Sequence, residues 1–222
     1  MSRQSLVSVV VVLLTINAGA LKTLFVRQDD RSWALPHAKL DSQEPLRRCA
    51  ERVVQSWLGQ NVDYLEQLYT FGNDVPPTGA RSIEVAYYGL VPSDLLSRER
   101  LSQRQEANWF ATPQTPELAG NHAQIARTAR NRLRGKLAYT AVGFELLPDV
   151  FTLAELQNLY EIILGKQLDK RNFRKKINEL GILEPTAATR SQGGGRGRPA
   201  SLYRFKPEVF RQLEAKGDIF AF

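Results

Sequence analysis

Residues 151–205 read FTLAELQNLYEIILGKQLDKRNFRKKINELGILEPTAATRSQGGGRGRPASLYRF, and this stretch decides the fold of the C-terminal part of the chain. Thr152 followed by Glu155 has the spacing of a capping box. Leu153, Leu156, Leu159, Tyr160 and Ile163 then recur at helical spacing, and Gly165 ends the run. Asp169 is placed to cap a second helix over 170–180, with Phe173, Ile177 and Leu180 on one face and Gly181 after its end. The other face carries Lys170, Arg171, Asn172, Arg174, Lys175 and Lys176. Two strand-like runs follow, 182–185 and 201–205. The loop between them holds Gly193, Gly194, Gly195, Arg196, Gly197, Arg198 and Pro199.

Helix, turn, basic helix and an Arg-tipped hairpin form the order of a winged helix-turn-helix. A helix of this kind rests its apolar face on a small core and turns its cationic face to the major groove of double-stranded DNA. The hairpin loop then reaches phosphates or a minor groove, where arginine is electrostatically favoured. The candidate DNA-contacting residues are therefore Lys170, Arg171, Asn172, Arg174 and Lys175 on the helix, with Arg196 and Arg198 on the loop. From position 166 to 211, 12 Lys and Arg oppose 4 Asp and Glu, a net of +8 where the whole chain has +7, so the remainder is close to neutral. The competing reading is a solvated basic helix beside a loose glycine loop.

Composition sets wider bounds. A chain of 222 residues holds one large or two modest domains, and 43% apolar content suffices for packed cores. Cys49 is the one cysteine, which excludes an internal disulfide framework and a cysteine-rich zinc site. With His37 and His122 as the two histidines, no metal site is expected. A reducing cytoplasm fits this usage. Near the N-terminus, the apolar run 7–16 before Ala18-Gly19-Ala20 imitates a signal peptide. Its valine content and a second apolar run at 21–27 read instead as a hairpin of buried strands, and it is too short to span a bilayer as a helix.

Further along, Trp33-Ala34-Leu35-Pro36 reads as a short third strand ended by its proline, and 41–59 as a helix. Residues 65–71 and 83–91 have strand composition, 73–81 that of a loop, and Trp109-Phe110 that of a strand end. Residues 124–137 read as a helix with Ile125, Ala129 and Leu133 on one face. The domain junction is expected just before Thr152, giving an N-terminal domain over 1–148 and a winged helix over 149–222.

The order strand, strand, Trp-Ala-Leu-Pro, helix resembles a Nudix domain. That family's signature is Gly, five residues, Glu, seven residues, Arg-Glu-aliphatic-any-Glu-Glu-any-Gly-aliphatic. Glu44, Arg52, Val54 and Gly59 match it here, whereas Val53, Ser56 and Trp57 stand in place of the box glutamates, Ala38 in place of the first glycine, and Gln60 in place of the last aliphatic. Nudix hydrolysis gathers carboxylates around magnesium to neutralise a diphosphate and activate water. Valine, serine and tryptophan cannot do this, so no catalytic residue, cofactor or resident metal is expected.

A degenerate Nudix domain followed by a winged helix is the layout of the Nudix-related transcriptional regulators, the NrtR family. The motifs LGKQLDKRNFRKK (164–176), GRGRPASLYRF (195–205) and YLEQLYTFG (64–72) are similar to that family's. Leu118-Ala119-Gly120-Asn121-His122 stands where members often have Leu-Ala-Phe-Asp-His. The implied fold is α+β: a Nudix-like α/β/α sandwich with a mixed sheet, then a winged helix-turn-helix. The implied function is a dimeric repressor of NAD-cofactor metabolism genes, acting on a palindromic operator and sensing ADP-ribose or a related nucleotide. Other members of the family control sugar use, which makes a sugar-phosphate sensor the first alternative. A hydrolase of ADP-ribose and an effector-free architectural or RNA-binding protein are the others. Candidate effector-binding residues are Arg27 and Arg52 for phosphates, Trp33 for stacking on a base, and the retained Glu44. Against these roles, Trp33 reads equally as core, Arg27 as a strand terminus, and Glu44 with Arg52 as a loop-anchoring pair. The helix over 124–137 is the candidate transmitter between the domains, or an ordinary amphipathic helix.

Overall fold

The computed structural model describes residues 6–29, 31–72, 82–96, 106–190 and 199–215. Its contacts fall into two compact units, Met1–Arg132 and Leu133–Phe222.

Valine and leucine dominate the first strand, β1 (Leu6–Asn17), and Val9 to Leu14 are all fully buried. A strand buried without alternation is covered on both faces and belongs at the centre of a sheet. β1 does sit there: the order is β3-β2-β1-β6-β5, with β2 Ala20–Arg27, β3 Trp33–Ala34, β5 Tyr64–Gly72 and β6 Ser82–Leu90. β4 (His37–Lys39) adds to β1, and β7 (Ala107–Ala111) to β2. The β1–β6 pairing is parallel and the others are antiparallel, so the sheet is mixed. The signal-like N-terminal run is thus the central strand of the sheet.

Helix α1 (Leu46–Leu58) covers one face, its Cys49, Ala50, Val53 and Val54 packing with Val9, Val11, Leu13, Val85 and Tyr87. The intervening β1 and β6 side chains point the other way. There α3 (His122–Lys136) approaches, with His122 Nε2 3.5 Å from Glu84 and Arg132 3.5 Å from Glu66. Together these layers make the α/β/α sandwich. Helix α2 (Ser93–Leu96) is a single turn in the stretch that the sequence left unassigned.

Three boundaries differ from expectation, and proline explains two. Helix α1 starts at Leu46, because Pro45 is its extended N-cap (φ −61°, ψ 142°) and the residue before a proline is pushed out of helical geometry. Pro36 divides the expected third strand. Its carbonyl accepts from Val11 at 2.8 Å, and β4 begins at His37. Strand β7 is longer than the Trp109-Phe110 end that was expected, since all five residues pair with β2. The expected 73–81 loop lies outside the described residues.

The β1–β2 turn places Ala18 (φ 50°) and Gly19 (φ 72°) in left-handed geometry, as a two-residue turn of the primed type requires. Glycine tolerates this and alanine does not. Replacing Ala18 with asparagine should therefore stabilise the protein by about 1 kcal/mol. The midpoint of urea unfolding, with an unchanged slope, measures it.

The second unit begins within α3 at Leu133, so the expected 148/149 junction lies inside it. A 3-10 turn (Val142–Leu146) leads to α4 (Leu153–Leu164), α5 (Lys170–Leu180), the hairpin β8 (Leu183–Arg190) with β9 (Ala200–Phe205), and α6 (Pro207–Ala215). Gly143 allows a close approach: a Cβ there would lie 3.2 Å from Leu137 and 3.1 Å from Leu159. Phe144 stacks on Phe205 at 4.0 Å, while Phe151 exchanges two backbone hydrogen bonds with Tyr203. β8 runs five residues beyond the strand expected to end at Pro185, past an irregularity where Thr186 Oγ1 donates to the Leu202 carbonyl. The sequence reading did not anticipate α6.

Candidate functional site

Both caps of the helix-turn-helix are built as the sequence spacing requires. The Thr152 hydroxyl accepts from the Glu155 amide at 3.1 Å, and Glu155 accepts from the Thr152 amide at 2.7 Å. Asp169 accepts from the Asn172 amide at 2.8 Å and starts α5. Between the helices, Gln157 donates to the Leu168 carbonyl and Glu161 accepts from the Leu168 amide, both at 2.9 Å. The Leu168 amide and Gln157 hold the Glu161 carboxyl below its ordinary pKa. Gly165 (φ 69°) closes α4 and lets the chain reverse. The turn is thus fixed by side chains, and α5 takes one orientation on α4.

α5 buries Phe173 and Ile177, with the Phe173 ring edge-on to Tyr160 at 5.8 Å. Tyr160 is wholly buried, which raises its phenol pKa well above the usual value. Lys170, Arg171, Asn172, Arg174 and Lys175 are all exposed, and Lys176 is half-buried. Lys175 approaches Glu179 at 3.9 Å, a contact worth little in solvent. The five candidates therefore project together from a supported helix. Arg196 and Arg198 lie outside the described residues. Arg190, at the end of β8, was not among the candidates. It pairs with Glu155 and donates to the Val150 carbonyl, tying the hairpin to the start of α4. Nothing in the sequence near Arg190 points to a partner 35 residues away.

In the first unit the four effector candidates form two pairs. Arg27 stands 4.7 Å from the centre of the Trp33 ring, and Trp33 meets Phe110 edge-on at 4.9 Å. Arg52 grips Glu44 with two hydrogen bonds of 2.9 and 2.7 Å and donates to the Lys39 carbonyl at 3.3 Å. This contact lowers the Glu44 pKa and raises that of Arg52. The neighbouring Cys49 thiol is pushed up to about 11 by burial and by the Glu44 charge. Such a fork-to-fork pair anchors the loop before α1 to the helix, and it occupies both oxygens of Glu44. Val53 is buried in the core and Ser56 donates to the Val53 carbonyl at 2.8 Å. Gly59, in left-handed geometry (φ 73°), ends α1. Among the described residues, no group of three or more His, Cys, Asp or Glu could hold a metal ion. One cavity of about 290 Å³ lies against α1, lined by Arg47, Arg48, Glu51, Val54, Asn61, Val62, Asp63 and Leu65 and by none of the four candidates.

A mixed sheet covered on both faces and a helix-turn-helix with a β hairpin define a winged-helix protein that carries a Nudix-like unit. A family model described as the NrtR DNA-binding winged helix domain matches residues 143–205. The chain is 33% identical over 208 residues to the ADPR responsive transcriptional repressor NtrR of Acinetobacter baylyi, which covers 90% of this chain and 82% of that relative. The crystal structure of Shewanella oneidensis NrtR complexed with a 27mer DNA is 30% identical and superposes with a TM-score of 0.81, over 92% of this chain and 95% of that one. The NUDIX domain of that protein complexed with ADP ribose is 26% identical, with a TM-score of 0.50 over 60% of this chain and 90% of that one. The chain belongs to the NrtR family of Nudix-related transcriptional regulators.

Proposed function

We propose that this protein is a ligand-responsive, DNA-binding transcriptional repressor. The observation that carries the reading is the row of exposed cationic and amide side chains on α5, a helix whose orientation is set by two caps and a stapled turn. Residues 149–222 take the DNA-binding role, with Arg196 and Arg198 reaching phosphates. Residues 1–148 take the sensing role, with α3 as the link. One recognition helix spans only a half-site, so the protein acts as a homodimer on a palindromic operator. The effector is ADP-ribose or a related nucleotide, and the regulated genes serve NAD-cofactor metabolism. A cytoplasmic location is part of this reading. The relative named as ADPR responsive and the ADP ribose complex of the Shewanella domain support it.

The sensor is not an enzyme in this reading. Glu44 is engaged by Arg52, and Val53, Ser56 and Trp57 cannot collect a divalent cation. Binding survives such losses, because the missing groups serve the metal rather than the nucleoside. Anisotropy of a labelled duplex, selected by the protein from a random library, measures the effect. Saturating ADP-ribose is expected to shift its affinity by about 5- to 150-fold, and the DNA to weaken ADP-ribose binding by the same factor. In the same samples, magnesium-dependent turnover of ADP-ribose stays below about 1 per second. A shift with sugar phosphates alone favours the sugar-regulating alternative. If no nucleotide or sugar phosphate changes the affinity, the sensing role is wrong.

A further inference from the structure

We propose that Arg132 and Arg134 are the positioning residues through which effector occupancy is transmitted to the DNA-reading helix. The proposal rests on the reading above and assigns residues to its coupling.

Both arginines lie on α3, which runs without interruption from His122 to Lys136. No proline or glycine occurs between His122 and Arg134, so nothing in that span softens the helix. Residues two apart on an α-helix differ by about 200° in direction, so the two guanidinium groups leave α3 on nearly opposite sides.

Arg132 is fastened to the sheet of the first unit. Its guanidinium is 3.5 Å from Glu66 and stands 4.8 Å from the centre of the Tyr69 ring. Glu66 also accepts from the Tyr64 hydroxyl, which meets the Tyr88 hydroxyl at 2.7 Å. Arg132 therefore joins α3 to a network spanning β5 and β6. The side chains of Arg132 and Glu66 are only 28% and 29% exposed, so solvent screens this pair less than an open surface pair.

Arg134 is fastened within the second unit. Its Nε donates to the Ile163 carbonyl at 2.9 Å. This carbonyl belongs to the last turn of α4, where backbone acceptors lack helical partners. Gly165 follows two residues later, and Leu168, stapled to Gln157 and Glu161, leads into the Asp169 cap. A displacement or rotation of α3 is thus delivered to the corner from which α5 starts. Close-packed elements respond to such movements by shifting as bodies rather than by deforming.

The test uses the full-length protein, a duplex selected by the wild type, and ADP-ribose as the probe. Operator affinity is measured with and without saturating ADP-ribose, and ADP-ribose affinity by calorimetry, for Arg134→Gln, Arg134→Lys, Glu66→Gln and the exposed control Arg127→Ala. Arg134→Gln and Glu66→Gln should reduce the ADP-ribose-induced shift to less than about twofold while ADP-ribose affinity changes by less than about threefold. Arg134→Lys restores part of the shift, because ammonium can still reach the carbonyl. Arg127→Ala leaves the shift as in the wild type. If both unit-specific variants keep the wild-type shift, the proposal is overturned even where basal operator affinity has fallen, since that pattern marks a purely structural role. If the wild type itself shows no shift, the sensing role and this proposal fail together.

Discussion

Replacing Phe173 with alanine is expected to destabilise the C-terminal unit by about 3–5 kcal/mol. Phe173 is 2% exposed, and its ring fills the angle between α4 and α5 against the buried Tyr160. Packed sites relax only partly around a missing ring, so the loss combines transfer free energy with the cost of a cavity. A small helical unit with few alternative apolar contacts cannot compensate, and α5 loses its seat on α4. Differential scanning calorimetry of the full-length protein reads the change, with Phe173→Leu as the milder comparison. DNA binding should fall in parallel at temperatures near the lowered transition. A loss under about 1 kcal/mol would mean that α5 is held by something other than this contact.

The second large effect falls on recognition. Arg171→Ala or Arg174→Ala should each weaken operator binding by about 1–3 kcal/mol per protomer where the side chain reads a base edge, and relax sequence preference at that position. A symmetric dimer loses the contribution twice. Lys170→Ala and Lys175→Ala should instead weaken all sequences alike and flatten the salt dependence, as phosphate contacts do. Arg196→Ala and Arg198→Ala follow that second pattern. Filter binding over a salt series, on the selected duplex and on a scrambled one, separates the two classes. Unchanged affinity in all of these variants would place the DNA-reading surface elsewhere.

The C-terminal unit was legible because its signals are local. Thr152 with Glu155, and Asp169 before a basic helix, are spacings of three residues or fewer whose hydrogen bonds form within one turn. Phe173 and Ile177 announce a buried face by their period alone. The start of α1 was misplaced because composition favoured a helix from Asp41, whereas Pro45 dictates the boundary sterically. β8 was read as ending at Pro185, a residue without an amide hydrogen, yet an irregular register carries the pairing on to Arg190. The least legible features were the long-range pairs. Nothing near Arg132 announces Glu66, and nothing near Arg134 announces a carbonyl on α4, 29 residues further on. An arginine on a helix surface looks the same in sequence whether it is solvated or fastened to another element. The Nudix-like box shows the converse: its departures at Val53, Ser56 and Trp57 are plain in the sequence, but only the geometry reveals Glu44 taken up by Arg52.

The parallel pairing of β1 with β6 sets a timetable for the newborn chain. The hydroxyl of Thr15 is bonded to the carbonyl of Val91 across 76 residues, and the whole β1–β6 register spans the same separation. Synthesis from the N-terminus therefore releases the most apolar strand first and its central neighbour much later. Until residue 90 has left the ribosome, β1 can form only its hairpin with β2, and its second edge stays open. Closing so long a loop is slow, whereas the helix pair and hairpin of the C-terminal unit join residues close in sequence. The N-terminal unit is thus the slow-folding half although it is made first, and its open valine strand is the natural substrate for a chaperone and the point at which overexpression leads to aggregation.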